Sequence, residues 1–175
     1  MTSDPFDILL KHFEWGTSAV IDAARHLSDE QLDHPFEMGV GTLRKSIDHI
    51  IAAAEGWTWR LDGAEDAPYP RPEASPRPTL DELSARLTAA GARLAETVAS
   101  DKATGRLADL LEFQRNDPHG KPVTYRYTRA VVIIHALSHG NYHRAQCLNM
   151  LRQLGVSPLP MMDVTSWQRL AEADA

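Results

Sequence analysis

Cysteine is nearly absent: Cys147 is the one thiol in 175 residues, so no disulfide can form within the chain. A cytoplasmic protein is the expectation that follows. Long apolar runs are missing too. Nothing approaches the ~20 apolar residues of a membrane-spanning helix, and the opening MTSDPFDILLKHFEW has no basic stretch leading into an apolar one. Neither a membrane partner nor a signal peptide is therefore expected. Basic residues are in the minority, with 18 Lys and Arg against 24 Asp and Glu, a net charge of −6 and a pI near 5.7. That balance argues against a general nucleic-acid binder, which would show a basic face. Internal repeats and low-complexity tracts are absent as well. The simplest organisation is one domain over residues 1–175, long enough to bury a proper core.

What is present is helical patterning. Asp4-Pro5 supplies a capping carboxylate and a proline at the first helical position, and Ile8, Leu9, Phe13, Val20, Ile21, Ala24 and Leu27 follow a helical period over residues 5–27. Ser28 and Gln31 have the spacing of a capping box for a short turn that Pro35 ends. Thr42 is the expected N-cap of a helix to about Arg60, with Leu43, Ile47, Ile50, Ile51, Ala54 and Trp57 on its apolar face. Pro68, Pro70, Pro72, Pro76 and Pro78 then forbid regular structure and predict an extended crossover. Residues 79–100 are the clearest amphipathic helix, with Leu80, Leu83, Leu87, Ala90, Leu94 and Val98 at steps of three and four. Residues 110–113 and 123–127 read as short β-like runs around the turn-rich NDPHGKP. A last long helix spans Thr128–Leu154, closed by Gly155, and a short amphipathic tail with Trp167 and Leu170 follows. The predicted fold class is all-α: an antiparallel four-helix bundle with a long proline-rich crossover and a small irregular or hairpin insert before the last long helix.

The chemistry concentrates in that last helix, where His135, His139 and His143 recur at four-residue steps. Such residues lie on nearly the same face, about 6 Å apart along the axis. Neutral imidazole is the commonest zinc ligand and suits nickel, copper and iron. Two rings four residues apart can converge on one ion, with a third ligand drawn from another element. His49, inside the second long helix, is the best candidate for it. Three protein ligands leave coordination positions open, as catalytic sites do. No HExxH pattern is present, so this is not a zincin helix.

The piece HALSHGNYHRAQ, with GTLRKSIDHIIAAAEGWTWRL upstream, resembles the DinB-like (damage-inducible) family of metalloenzymes. The typical pattern is a His on the second helix after a Gly-Thr/Ser-Leu/Ile-Arg start, then an H-x-x-x-H-R-G-Q segment on the last long helix. Here the first His matches His49 and the later pair matches His139 and His143, followed by Arg144 and Gln146. Ala145 stands where the family usually has Gly, a change expected to alter close packing of that helix. The resemblance implies a four-helix bundle, commonly a homodimer, with a divalent metal ion on His49, His139 and His143. Zinc is the first expectation, with nickel, iron or manganese as alternatives. Relatives include transferases that use a low-molecular-weight thiol (bacillithiol, mycothiol or glutathione) and mycothiol-dependent maleylpyruvate isomerase. The function so implied is a metal-dependent S-transferase or hydrolase acting on a small-molecule substrate. Its rival is a non-catalytic dimeric metal-binding stress-response module.

Other residues receive lesser roles. The resemblance leaves His135 as a group that lines the pocket or orients a ligating His through its other ring nitrogen. Asp48 is expected to be solvated, and His12, His26, His34 and His119 to lie on the surface or in loops. Arg144 is expected to be exposed or salt-bridged, or else to steer an anionic substrate. Gln146 reads as a structural hydrogen-bonding residue, Cys147 as a small core residue, and Trp57 as packing that can floor a pocket. Glu14 and Glu55 are weak candidates for a general base.

Overall fold

The computed structural model describes residues 3–63, Tyr69 and residues 77–173. The proline-rich crossover expected over residues 64–78 lies outside the described residues except for Tyr69, Arg77 and Pro78.

Helix α1 (Pro5–Ala24) starts where predicted, with the Asp4 carboxylate accepting from the Phe6 and Asp7 amides. It ends before Leu27, whose amide bonds back to Ala24 O in a tight final turn. Ser28 and Gln31 cap each other reciprocally at the one-turn α2 (Asp29–Leu32). Thr42 caps α3 (Leu43–Leu61), and Thr79 with Glu82 caps α4 (Leu80–Ala103). After a 3-10 turn come β1 (Leu110–Asn116), β2 (Pro122–Thr128), α5 (Arg129–Gln153) and α6 (Val164–Ala173).

Arg44 explains the Thr-Leu-Arg start of α3. It is 3% exposed, and its fork donates to Asp33 Oδ1 at 2.8 Å, to Asp29 and to Pro78 O at 2.8 Å. One side chain thus ties α2 and the approach to α4 onto α3. The four long helices are neighbours in the cyclic order α1–α4–α3–α5. Their apolar stripes share one core that includes Ile21, Ile47, Ile51, Leu87, Leu94 and Leu151.

The all-α expectation needs correcting at residues 110–128. The fold is mostly helical, but this insert is a two-stranded antiparallel sheet with Phe113 opposite Tyr125 and Leu111 opposite Tyr127. Alternation is the cause: Leu111 and Phe113 are buried on the face turned to the helices, while Glu112 and Gln114 face out. Glu112 then pairs across the sheet with Arg126 at 2.6 Å.

Helix α5 meets α1 closely because Gly140 has no side chain. A Cβ there would lie 2.5 Å from Phe13 Cε2 and 2.8 Å from Cδ2. Phe13 is 1% exposed and has nowhere to retreat. Gly140→Ala is therefore expected to cost about 1–3 kcal/mol. A melting curve should show a fall of roughly 2–12 °C, and adding Phe13→Leu should recover part of it; an unchanged melting point would refute the tight contact. Ala145, by contrast, is exposed, so the departure from the family pattern does not fall in the core.

A candidate metal centre in an open cleft

His49 sits in the middle of α3, and His139 and His143 sit one turn apart on α5, the helix packed beside it. The imidazoles converge through one atom type. His139 Nε2 lies 3.3 Å from His49 Nε2 and 3.2 Å from His143 Nε2. One nitrogen from each ring lies within 4.8 Å of the others, so the group can hold a metal ion. Donors on bonds of about 2.1 Å are separated by about 3.4 Å in a tetrahedron and about 3.0 Å at right angles. The observed spacings fall between these, so the donor set fits one small divalent ion.

The protonation states fit as well. His143 Nδ1 stands 2.8 Å from Gln146 Oε1. A carboxamide oxygen only accepts, so Nδ1 carries the proton and Nε2 presents a lone pair. Gln146 is held in turn by the glycine loop before α3. Gly39 has φ +57°, and a Cβ there would be 2.6 Å from Gln146 Oε1. Burial, reinforced by the neighbouring His143, His49 and His135, holds the His139 pKa down to about 4. It is neutral, as a ligand must be, across the physiological range.

His49 and His139 line an open cleft of about 570 Å³, with Ala52, Gly56, Trp57, Arg60 and Arg115 among its other lining residues, and His143 lies buried behind them. His135 is exposed, lines the same cleft and meets the Trp57 ring edge-on at 5.1 Å between centroids. It stands outside the triad, and Trp57 does form part of the wall. The hairpin packs beside the cleft wall, with Phe113 edge-on to Trp57 at 5.8 Å.

Several expectations change. Arg144 is not exposed, and it has no salt bridge among the described residues. At 1% exposure it is sealed between α5 and α1, donating to Phe13 O at 3.2 Å and Thr17 Oγ1 at 3.3 Å. Gly16 and Gly140 leave the slot it fills, and burial holds its pKa down to about 10. It does not line the cleft. His12 is buried rather than superficial, its Nε2 2.8 Å from Met162 O and its ring against Trp167 of α6. His26, His34 and His119 are exposed as expected. Asp48 is not free in solvent: Arg86 of α4 binds it at 2.6 Å and Glu55 at 2.7 Å. That ion pair also removes Glu55 as a free base, and Glu14 packs against Gly91 on the α4 side. Cys147 is fully buried, and burial pushes its thiol up to about 12, so it is an inert core residue.

Two cleft residues, Arg60 and Arg115, had drawn no attention in the sequence. Arg60 had a readable signal, since His49, Ala52, Ala53, Gly56 and Arg60 share one side of α3 by helical spacing. Arg115 had a weaker one, following Leu111 and Phe113 by alternation.

No curated relative matches the chain. Solved structures share its fold. A DinB-like protein from Bacillus cereus aligns with a TM-score of 0.59 at 19% identity, covering 89% of this chain and 95% of that one. A DinB family member from Shewanella denitrificans aligns with a TM-score of 0.58 at 20% identity, covering 87% of each. The sequence model of the DinB family matches residues 2–175, which is nearly the whole chain, and the protein therefore belongs to the DinB family.

Proposed function

We propose that the protein is a divalent-metal-dependent enzyme in which His49, His139 and His143 hold the ion. The observation that carries this reading is the convergence of three Nε2 atoms at the edge of an open cleft. A bound ion would supply Lewis acidity, lowering the pKa of a water or thiol on it. With three protein ligands, positions remain for such a molecule. Gln146 fixes the tautomer of His143, Trp57 shields one wall, and His135 is placed to take or return a proton of a molecule in the cleft. No carboxylate lines the cleft among the described residues. That absence favours transfer from a thiol, which the ion itself would deprotonate, over hydrolysis aided by a Glu or Asp base. Zinc suits three neutral nitrogen donors best; nickel and iron follow, and manganese prefers oxygen ligands.

Elemental analysis of protein purified without added metal tests this, with one equivalent per chain expected. Less than a tenth of an equivalent, with no uptake on titration, would remove the proposal. Gln146→Leu probes the support of the site. It should weaken zinc affinity by about 10–100-fold in a chelator-competition titration without lowering the melting point of metal-free protein.

Around this site we infer one domain in which α1, α3, α4 and α5 form an antiparallel four-helix bundle, an inference supported by their closed cycle of neighbours. We also infer a homodimer. Val131, Ile134 and Tyr142 leave 50%, 48% and 64% of their surface exposed along one side of α5. Light scattering should give twice the 19.4 kDa chain mass, and Ile134→Glu should halve it. A monomeric wild type would contradict this. Among the described residues no helix is long and apolar enough to cross a membrane. The single buried thiol supports placement in the cytoplasm.

A further inference from the structure

His49 and His139 of the triad line one end of the cleft, and two arginines line the other. Arg60 follows His49 by eleven residues (60 − 49) on the same side of α3, with Ala52, Ala53 and Gly56 as a low floor between them. Helical side chains lean toward the N-terminus. Arg60 accordingly folds back, and its Nη1 donates to Gly56 O at 3.0 Å. Its guanidinium lies 5.5 Å from the Trp57 ring and 5.3 Å from the Phe113 ring. Its Nε is buried without a hydrogen-bond partner among the described residues. Arg115 reaches the cleft from β1, on the face it shares with Leu111 and Phe113.

Charge is what makes this pair unusual. Most arginines that reach a helix neighbour are matched: Arg86 by Asp48 and Glu55, Arg93 by Asp62, Arg129 by Asp101. Neither Arg60 nor Arg115 has a carboxylate partner among the described residues, and each lies within electrostatic reach of the other. A chain of net charge −6 has thus gathered positive charge in one cleft with no acidic lining residue among the described residues. A divalent ion on three neutral imidazoles would add to it, since those ligands cancel none of its charge. Two like charges left together beside aromatic rings suit an oxyanion, which a guanidinium binds in bidentate fashion.

We propose that the cleft takes an elongated small molecule whose oxyanion head, a carboxylate or phosphate, is held by Arg60 and Arg115. A metal-seeking donor lies at its other end, about 10 Å away, the rise of the seven residues from His49 to Gly56. The far end of this ligand rests on the metal reading above; the arginine end does not.

Titration calorimetry with suberate and with 8-phosphonooctanoate, both close to that length, tests the proposal on zinc-loaded and on EDTA-treated protein. The tighter probe identifies the head group. Arg60→Met, which keeps the packing against Trp57 and Phe113, and Arg115→Met, on an exposed strand residue, should each weaken binding at least tenfold. Succinate, too short to reach both ends, should bind more weakly than suberate to the zinc-loaded protein. Unchanged affinity in both variants, or no heat from either probe in either form, overturns the proposal and leaves the metal reading standing. Should the protein take up no zinc, arginine-dependent binding to the EDTA-treated form still supports the oxyanion end and removes the two-ended ligand.

Discussion

Replacing His139 by alanine is expected to abolish stoichiometric metal while leaving the protein folded. His139 is the middle nitrogen of the triad, 3.3 Å from one partner and 3.2 Å from the other. Losing an outer hydrogen-bond partner of a ligand weakens metal binding by about 10–100-fold, so losing a ligand outright lies beyond about 100-fold. The fold should persist because the residue lies at the cleft, half-buried, and its Nδ1 makes no hydrogen bond among the described residues. Thermal scans separate the outcomes. A ligand at a hundredfold excess over its Kd stabilises the native state by about 2.7 kcal/mol. The wild type should melt higher in excess zinc, and His139→Ala should melt at one temperature with or without it. A variant that keeps one equivalent of ion would show that the cluster is not the metal site. A variant that cannot be purified folded would mean that the ion is structural, as in a non-catalytic module.

Helical spacing and caps made most of the architecture legible. The four long helices start within one residue of their expected starts, because Asp4, Thr42, Thr79 and Thr128 each cap by side chain. The triad was legible for the same reason, although spacing alone could not choose which of His135, His139 and His143 would meet His49. The misses share another cause, which is burial of polar groups by distant segments. His12 reads as superficial until Met162 and Trp167 cover it. Arg144 reads as a surface cation because nothing local reveals that glycines on two helices make it a slot. Arg115 depends on how the hairpin folds over α3. The expected end of α4 near residue 100 fell short for a related reason. Asp101 is polar by type, yet it is fully buried inside the last turn before Ala103.

Asp101 is where the largest loss of stability is expected. Its carboxylate is 0% exposed, accepting from Arg129 Nε at 2.7 Å, Arg129 Nη2 at 2.8 Å and Arg106 Nη2 at 2.8 Å. Arg129 is itself 5% exposed, opens α5 and donates also to Leu61 O at 2.7 Å. The cluster joins the end of α4, the start of α5 and the end of α3, and so sets how α5 leaves the hairpin. Asp101→Ala strands a buried guanidinium that a backbone carbonyl cannot neutralise. Removing one member of such a pair costs about 3–5 kcal/mol. For a chain of this length that is a fall in melting temperature of roughly 6–20 °C. Because the penalty comes from the orphaned charge rather than from the lost contact, Asp101→Leu with Arg129→Met should recover most of it. Apolar replacements of a buried pair are often neutral or better. Arg106, half-exposed at 46% of its side chain, can turn to solvent in either background. Zinc uptake should be unaffected, since the cluster does not line the cleft. If Asp101→Ala shifts the melting point by less than about 2 °C, or the double variant is no better than the single, a stranded charge is not what the pair prevents.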